Sequence, residues 1–73
     1  MNKDMQFEHT GEALVGFVSH KLGLPYEKVS NQVDPIQLRI LFIDLMLETL
    51  QNPKLGKFYP INKLVRHVNT QLS

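Results

Sequence analysis

The feature that most constrains this chain is a stretch of 18 residues, Asp34 to Gln51, with the sequence DPIQLRILFIDLMLETLQ. Ten of these residues are Ile, Leu, Met or Phe. At about 100° per residue, their directions cover well over half of a helical wheel. A helix that is apolar over so wide an arc must be surrounded by other elements or by a partner. We therefore expect a helical fold that is organised around this stretch.

The ends of this central helix are specified by residue type. Asp34 is a good N-cap, and Pro35 suits the first helical position because its missing N–H is not needed there. Asn52, Pro53 and Gly56 then end the apolar pattern. The sequence predicts a helix over residues 35–51.

Apolar residues at helical spacing also predict one amphipathic helix before the central helix and one after it. Gly23 marks the end of the first helix, and Pro60 marks the start of the last. Gly16, inside the first helix, either permits a close helix crossing or is merely tolerated. The predicted fold is all-α, a small bundle of three main helices at about residues 11–22, 35–51 and 60–72, with a short turn at 25–29.

The N-terminal residues carry no helical period, and Met5 and Phe7 lie two apart among polar residues. This pattern predicts an extended, flexible arm over residues 1–9, with Met5 and Phe7 as its anchors to the core or to a partner. Residues 10–73 are predicted to form a single helical domain, because a chain of 73 residues has too little surface to bury for a second core.

Two residues of the central helix depart from the binary pattern. Arg39 falls within the apolar arc, and Leu41 falls within the polar stripe. Arg39 must carry its charge out to water along its stem or pair with a carboxylate. Alternatively, Arg39 and Leu41 form the rim of a docking surface, where Arg is enriched. The apolar arc is also wider than two amphipathic helices cover, which leaves open that part of it faces a partner or a second copy.

Charge is unevenly distributed along the chain. Residues 1–48 hold all seven acidic residues and four Lys or Arg, whereas residues 49–73 hold four Lys or Arg and no acidic residue. Such an asymmetry is typical of a solvated face or of a surface for an anionic partner. The predicted protein-binding surface lies at this basic end and consists of Lys57, Phe58, Tyr59, Lys63, Arg66 and His67.

The sequence lacks the patterns that catalysis, metal binding or membrane insertion require. There is no Cys, and the three His residues are scattered singly, so no metal site is expected. Ser19 precedes His20, but adjacent residues of a helix point in different directions, and no Gly-rich phosphate loop is present. We therefore expect neither catalytic residues nor a cofactor. The longest apolar run is far shorter than the roughly 20 residues of a membrane span. We expect a non-enzymatic, cytoplasmic protein.

The order of elements resembles that of acyl and peptidyl carrier proteins. The segments that carry the resemblance are LVGFVSHKLGLPYEKVSNQ, DPIQLRILFIDLMLETL and FYPINKLVRHVN, within residues 12–72. In carriers, an Asp-Ser pair begins the second helix and the Ser receives phosphopantetheine. Here Pro35 follows Asp34, the preceding loop is shorter, and the acidic surface of bacterial carriers is missing. The resemblance therefore implies a carrier-like fold without the prosthetic group.

Three functions follow from these features as expectations. The first is a regulator or adaptor that binds a larger protein. In size and lack of cofactors, it is similar to small phage-encoded regulators of host enzymes, and an RNA polymerase subunit is one candidate partner. The second is a small DNA-binding regulator that uses the 60–72 helix, on which Lys63, Arg66 and His67 suit phosphates and base edges. The third is a degenerate carrier-like docking module of a synthase. A homodimer is left open.

Overall fold

A computed structural model of the chain describes the backbone of residues 3–73 and the side chains of residues 10–73. Every regular element within residues 3–73 is helical, which confirms the predicted all-α class. In chain order the elements are α1 (Lys3–Leu22), α2 (Tyr26–Ser30), α3 (Pro35–Gln51), a single 3-10 turn (Pro53–Leu55) and α4 (Tyr59–Leu72). Helix α3 contacts both α1 and α4, and α2 packs against α1.

The predicted bounds hold for most elements. Helix α3 has the predicted limits, α4 begins one residue early, and the predicted short turn is the five-residue helix α2. Helix α1 differs, because it begins at Lys3 and not near residue 11. Residues 3–9 therefore lie in this helix and not in the predicted extended arm. No Pro or Gly separates Lys3 from Thr10, so nothing in the backbone chemistry interrupts the helix there.

Two parts of the arm prediction fall outside the described residues. The structure does not describe Met1 and Asn2, nor the side chains of Met5 and Phe7. The proposed anchoring by Met5 and Phe7 stays a prediction.

The turn after α1 is fixed by Gly23, which has a φ of 69°. The Gly23 N–H donates to the His20 carbonyl at 3.2 Å, and the Leu24 N–H donates to the Ser19 carbonyl at 3.0 Å. These two bonds satisfy carbonyl groups that the last helical turn leaves without partners. Gly23 is therefore the helix stop that the sequence predicts, and it directs the chain back toward α2.

The close helix crossing occurs at Gly11 and not at Gly16. A Cβ atom at Gly11 would lie 2.7 Å from the Pro35 carbonyl carbon and would also clash with the Pro35 carbonyl oxygen. At Gly16, the nearest atoms belong to the Tyr26 ring, at 3.8 and 3.9 Å from such a Cβ. The absence of a side chain at Gly11 thus allows α1 to cross the start of α3.

Helix α3 begins as predicted, because the Asp34 side chain accepts a hydrogen bond from the Ile36 N–H at 3.0 Å. One face of this helix enters the core. The buried apolar side chains come from α1, α2, α3 and α4 and from the loop before α3: Val15, Val18, Val29, Val33, Leu38, Leu45, Leu64 and Val68. Leu38 and Leu45 are the only buried residues of α3, so most of its apolar arc lies outside the core.

The molecule is flat, with extents of 34 × 34 × 16 Å. The axes of packed helices lie about 8–10 Å apart, so the thin dimension holds about two layers of helices. A helix in a two-layer arrangement has neighbouring helices on one side, which is consistent with the exposed outer face of α3. Among the described residues, no helix is long and apolar enough to cross a membrane.

Candidate protein-binding surfaces

The start of α4 presents an aromatic pair beside a run of cations. Phe58, immediately before α4, is 63% exposed, and the Lys57 Nζ lies 5.1 Å from the centroid of its ring. Tyr59 is half-buried, whereas Lys63 and Arg66 are exposed one and two turns further along α4. We call Lys57, Phe58, Tyr59, Lys63 and Arg66 the basic-aromatic face.

Tyr59 connects this face to the end of α3. Its hydroxyl donates a hydrogen bond to Glu48 Oε1 at 3.1 Å. Burial raises the pKa of the Tyr59 hydroxyl, and the hydrogen bond and the negative charge of Glu48 raise it further, against a smaller opposite effect of Arg66. The hydrogen bond to Glu48 fixes the direction of the Tyr59 phenol ring. The same hydrogen bond places the Glu48 carboxylate beside residues 49–73, which contain no acidic residue.

A cleft opens within the basic-aromatic face. Its volume is about 350 Å³, and its walls are formed by Leu55, Gly56, Phe58, Tyr59, Asn62, Lys63 and Arg66. The apolar wall comes from Leu55 and the two rings, and the cations stand at the α4 side. Such a cleft accepts an apolar side chain with an acidic neighbour.

The fold thus brings together most residues of the predicted protein-binding surface. Four of its six residues, Phe58, Tyr59, Lys63 and Arg66, line one cleft. Lys57 adjoins that cleft through Phe58. His67 lies apart from it, in a second groove of about 290 Å³ between α3 and α4, where Lys63 and Arg66 form the shared wall.

A second surface consists of apolar side chains along the outer face of α3. Five large aliphatic residues are between 37 and 75% exposed there: Ile36, Ile40, Ile43, Leu47 and Leu50. Met46, 45% exposed, lies beside them. At about 100° per residue, the five directions fall within about 80° of one another. We call these five residues the α3 stripe.

The α3 stripe lies opposite Leu38 and Leu45, which face the core. Arg39, half-buried, borders the stripe on one side. Leu41 does not reach it, because Leu41 is half-buried and packs against the core cluster near α4. The spacing of the stripe, alternately four and three residues, is present in the sequence. The sequence left open that part of the arc is exposed, and it could not show which residues these are, because the choice depends on where α1 and α4 pack.

Neither surface gathers the side chains of a metal centre. Within the described residues, no three His, Asp or Glu side chains gather at a spacing that could hold a metal ion. At the start of α3, where a carrier protein would bear its modified Ser, Pro35 lies directly against Gly11. The described residues can make contacts of two kinds: anchoring of an apolar or acidic partner at the basic-aromatic face, and helix packing along the α3 stripe.

Comparisons of the chain with protein-family models, with curated proteins and with solved structures gave no match.

Proposed function

We propose that this protein is a non-enzymatic adaptor or regulator that binds a larger protein through its basic-aromatic face. The observation that carries the proposal is the convergence of Phe58, Tyr59, Lys63 and Arg66 around one open cleft. Aromatic and Arg side chains provide most of the binding energy in protein interfaces, and they act best at the edge of a pocket from which water is excluded. The face has this composition and this shape.

The chemistry of the face indicates an acidic partner surface with at least one protruding apolar side chain. Lys63 and Arg66 are exposed, and an Arg can hold a carboxylate with two parallel hydrogen bonds. Phe58 offers a large, exposed ring, and the Lys57 ammonium group lies over this ring. An RNA polymerase subunit, the candidate partner named from the sequence, is the first purified protein to assay.

DNA is the competing ligand for the same cations. The link between α3 and α4 contains a separate 3-10 turn at Pro53–Leu55, unlike the tight turn of a helix-turn-helix motif. Glu48 also lies beside Tyr59, and a carboxylate at the edge of the face repels phosphate. These two observations favour a protein partner over a duplex.

The test is a capture experiment with the charge-reversed variant K63E/R66E. With wild-type protein as bait in a bacterial lysate, or with purified RNA polymerase, we expect one partner that the variant retains at least about tenfold less well. Lys28→Glu, an exposed cation on α2, is the matched control and should retain the partner.

Phe58→Ala provides a second readout that leaves every charge in place. It should weaken capture as well, because it removes the exposed anchor ring. Capture that is equal for the wild type, K63E/R66E and Phe58→Ala would contradict the proposed face. Salt-dependent binding of the purified protein to duplex DNA, lost in K63E/R66E, would replace the protein partner with DNA.

A further inference from the structure

The α3 stripe exposes a larger continuous apolar area than hydrophobic residues that are scattered singly over a surface. Its five members and Met46 expose between 37 and 75% of their area, which sums to about 600 Å² and equals the largest apolar patches that ordinary monomers show. Covering this area on two copies removes about 1,200 Å² from water, the lower end of specific protein interfaces. The area is therefore enough for a dimer of identical faces.

The spacing of the stripe is that of a helix-pairing seam. Ile36, Ile40, Ile43, Leu47 and Leu50 follow one another at intervals of four, three, four and three residues. This is the repeat with which two helices pack side by side, each apolar side chain entering the gap between residues of the facing helix. A surface with this repeat is complementary to itself, as a two-fold symmetric interface must be.

The charges beside the stripe are also complementary between two copies. Arg39 flanks the stripe on one side, and Asp44, exposed, flanks it on the other. In a parallel helix pair, a flanking residue faces the opposite flank of the partner helix about five residues further along. Arg39 of one copy then faces Asp44 of the second copy, and the symmetry repeats the pair. In an antiparallel pair, like flanks face each other, so neither Arg39 nor Asp44 would meet a residue of opposite charge on the second copy.

We propose that the α3 stripe is the interface of a parallel homodimer in which α3 packs against α3 of a second copy. This inference is independent of the proposed function, because the basic-aromatic face lies at the start of α4 and uses none of the stripe residues. The dimer would carry two copies of that face.

The first experiment measures the mass of the full chain in solution by sedimentation equilibrium over a range of concentrations. We expect a reversible monomer–dimer equilibrium. Ile43→Glu and Leu47→Glu each place a charge in the seam, and each should raise the dissociation constant at least about tenfold. Asn69→Glu adds the same charge at an exposed position of α4, outside the stripe and both of its flanks, and should leave the constant unchanged. Circular dichroism checks that all variants keep the helical content of the wild type.

The second experiment measures the orientation with engineered cysteines, since the chain has none of its own. In a parallel pair, equivalent seam residues meet, so Leu50→Cys should form a disulfide with its own copy, whose Cα atoms must come within about 7 Å. A mixture of Ile36→Cys and Leu50→Cys proteins should yield Ile36→Cys and Leu50→Cys homodimers and little of the mixed species.

Three results would overturn the proposal. The first is a protein that remains monomeric at every concentration tested. The second is a mixed disulfide between Ile36→Cys and Leu50→Cys as the main product, which indicates an antiparallel pair. The third is a dimer whose dissociation constant is the same for the wild type, Ile43→Glu and Leu47→Glu, which places the interface elsewhere. Reduced capture of a partner by K63E/R66E bears on none of these outcomes.

Discussion

At the scale of single residues, Gly11 is a position where any side chain would clash with a neighbouring helix. Gly11 is buried in α1, and a Cβ there would lie 2.7 Å from the Pro35 carbonyl carbon and 2.9 Å from the Pro35 Cβ. The carbonyl carbon belongs to the backbone and the Cβ to the rigid proline ring, so the clash is relieved only if α1 and α3 move apart. Gly16, one and a half turns later, has only ordinary contacts with the Tyr26 ring.

We predict that Gly11→Ala lowers the free energy of unfolding by about 1–3 kcal/mol, the usual cost of inserting volume into a packed contact. The higher helix propensity of Ala opposes this loss by about 1 kcal/mol at most. Gly16→Ala is the matched control and should be neutral or stabilising, because it gains the propensity without the clash. Urea unfolding of the two variants measures the difference. Equal stability of both variants would mean that the helices do not cross closely at Gly11.

At the scale of elements, α3 and α4 are joined across their connection by the hydrogen bond from Tyr59 to Glu48. Burial and Glu48 raise the pKa of Tyr59 in the folded protein above its ordinary value of 10.0. The folded state therefore favours the neutral phenol. The stabilisation is complete below the pKa of the unfolded chain, and it is lost as the pH rises through the raised pKa of the folded protein.

We predict that the free energy of unfolding falls above pH 10.0 more steeply in the wild type than in Tyr59→Phe, which has no phenol to ionise. The raised pKa can be measured directly from tyrosinate absorbance in a Tyr26→Phe background, where Tyr59 is the only tyrosine. Glu48→Gln in the same background should move the titration to lower pH, because it removes the negative charge and weakens the hydrogen bond. A titration that Glu48→Gln leaves in place would show that Glu48 does not act on Tyr59.

The sequence predicted best the elements that have helix-starting and helix-ending residue types at their two ends. Asp34 and Pro35 start α3 and Asn52 ends it, so its bounds needed no knowledge of packing. Helix α1 was predicted too short, because Met5 and Phe7 suggested an extended arm while no residue type forbade a helix. The approach of Tyr59 to Glu48 was not predicted, because it depends on how the 3-10 turn at Pro53–Leu55 reverses the chain.

At the scale of the whole molecule, the sequence placed more apolar residues on α3 than two amphipathic helices cover. It could not show which of these residues stay exposed. The apolar arc of α3 contains both Leu38, in the core, and Leu47, on the outer face. Both have the same chemistry and helical setting. Leu38 and Leu47 differ in burial because α1 and α4 occupy one side of α3, in a flat molecule that is 16 Å thick. The same holds for the basic-aromatic face, whose residues were predicted but whose cleft depends on the turn that brings Leu55 beside Tyr59.

This division of apolar residues between core and outer face leads to a prediction about two leucines. Leu64 of α4 is fully buried, whereas Leu50 of α3 is 75% exposed. We predict that Leu64→Ala lowers the free energy of unfolding by about 2–5 kcal/mol. For a chain of this length the total is only about 4–11 kcal/mol, so the variant should lose a large part of the stability of the fold. Leu50→Ala should change the stability of the monomer by no more than about 0.5 kcal/mol.

The two variants should also differ in how their melting temperatures depend on protein concentration. A dimer that forms through the α3 stripe raises the melting temperature as the protein is concentrated, because the second copy binds the folded state only. Leu64→Ala should melt lower at every concentration and keep this dependence, since it leaves the stripe intact. Leu50→Ala should match the wild type when dilute and fall below it when concentrated. If dilute Leu50→Ala melted as low as Leu64→Ala, Leu50 would belong to the core of the monomer, and α3 would be covered on both sides.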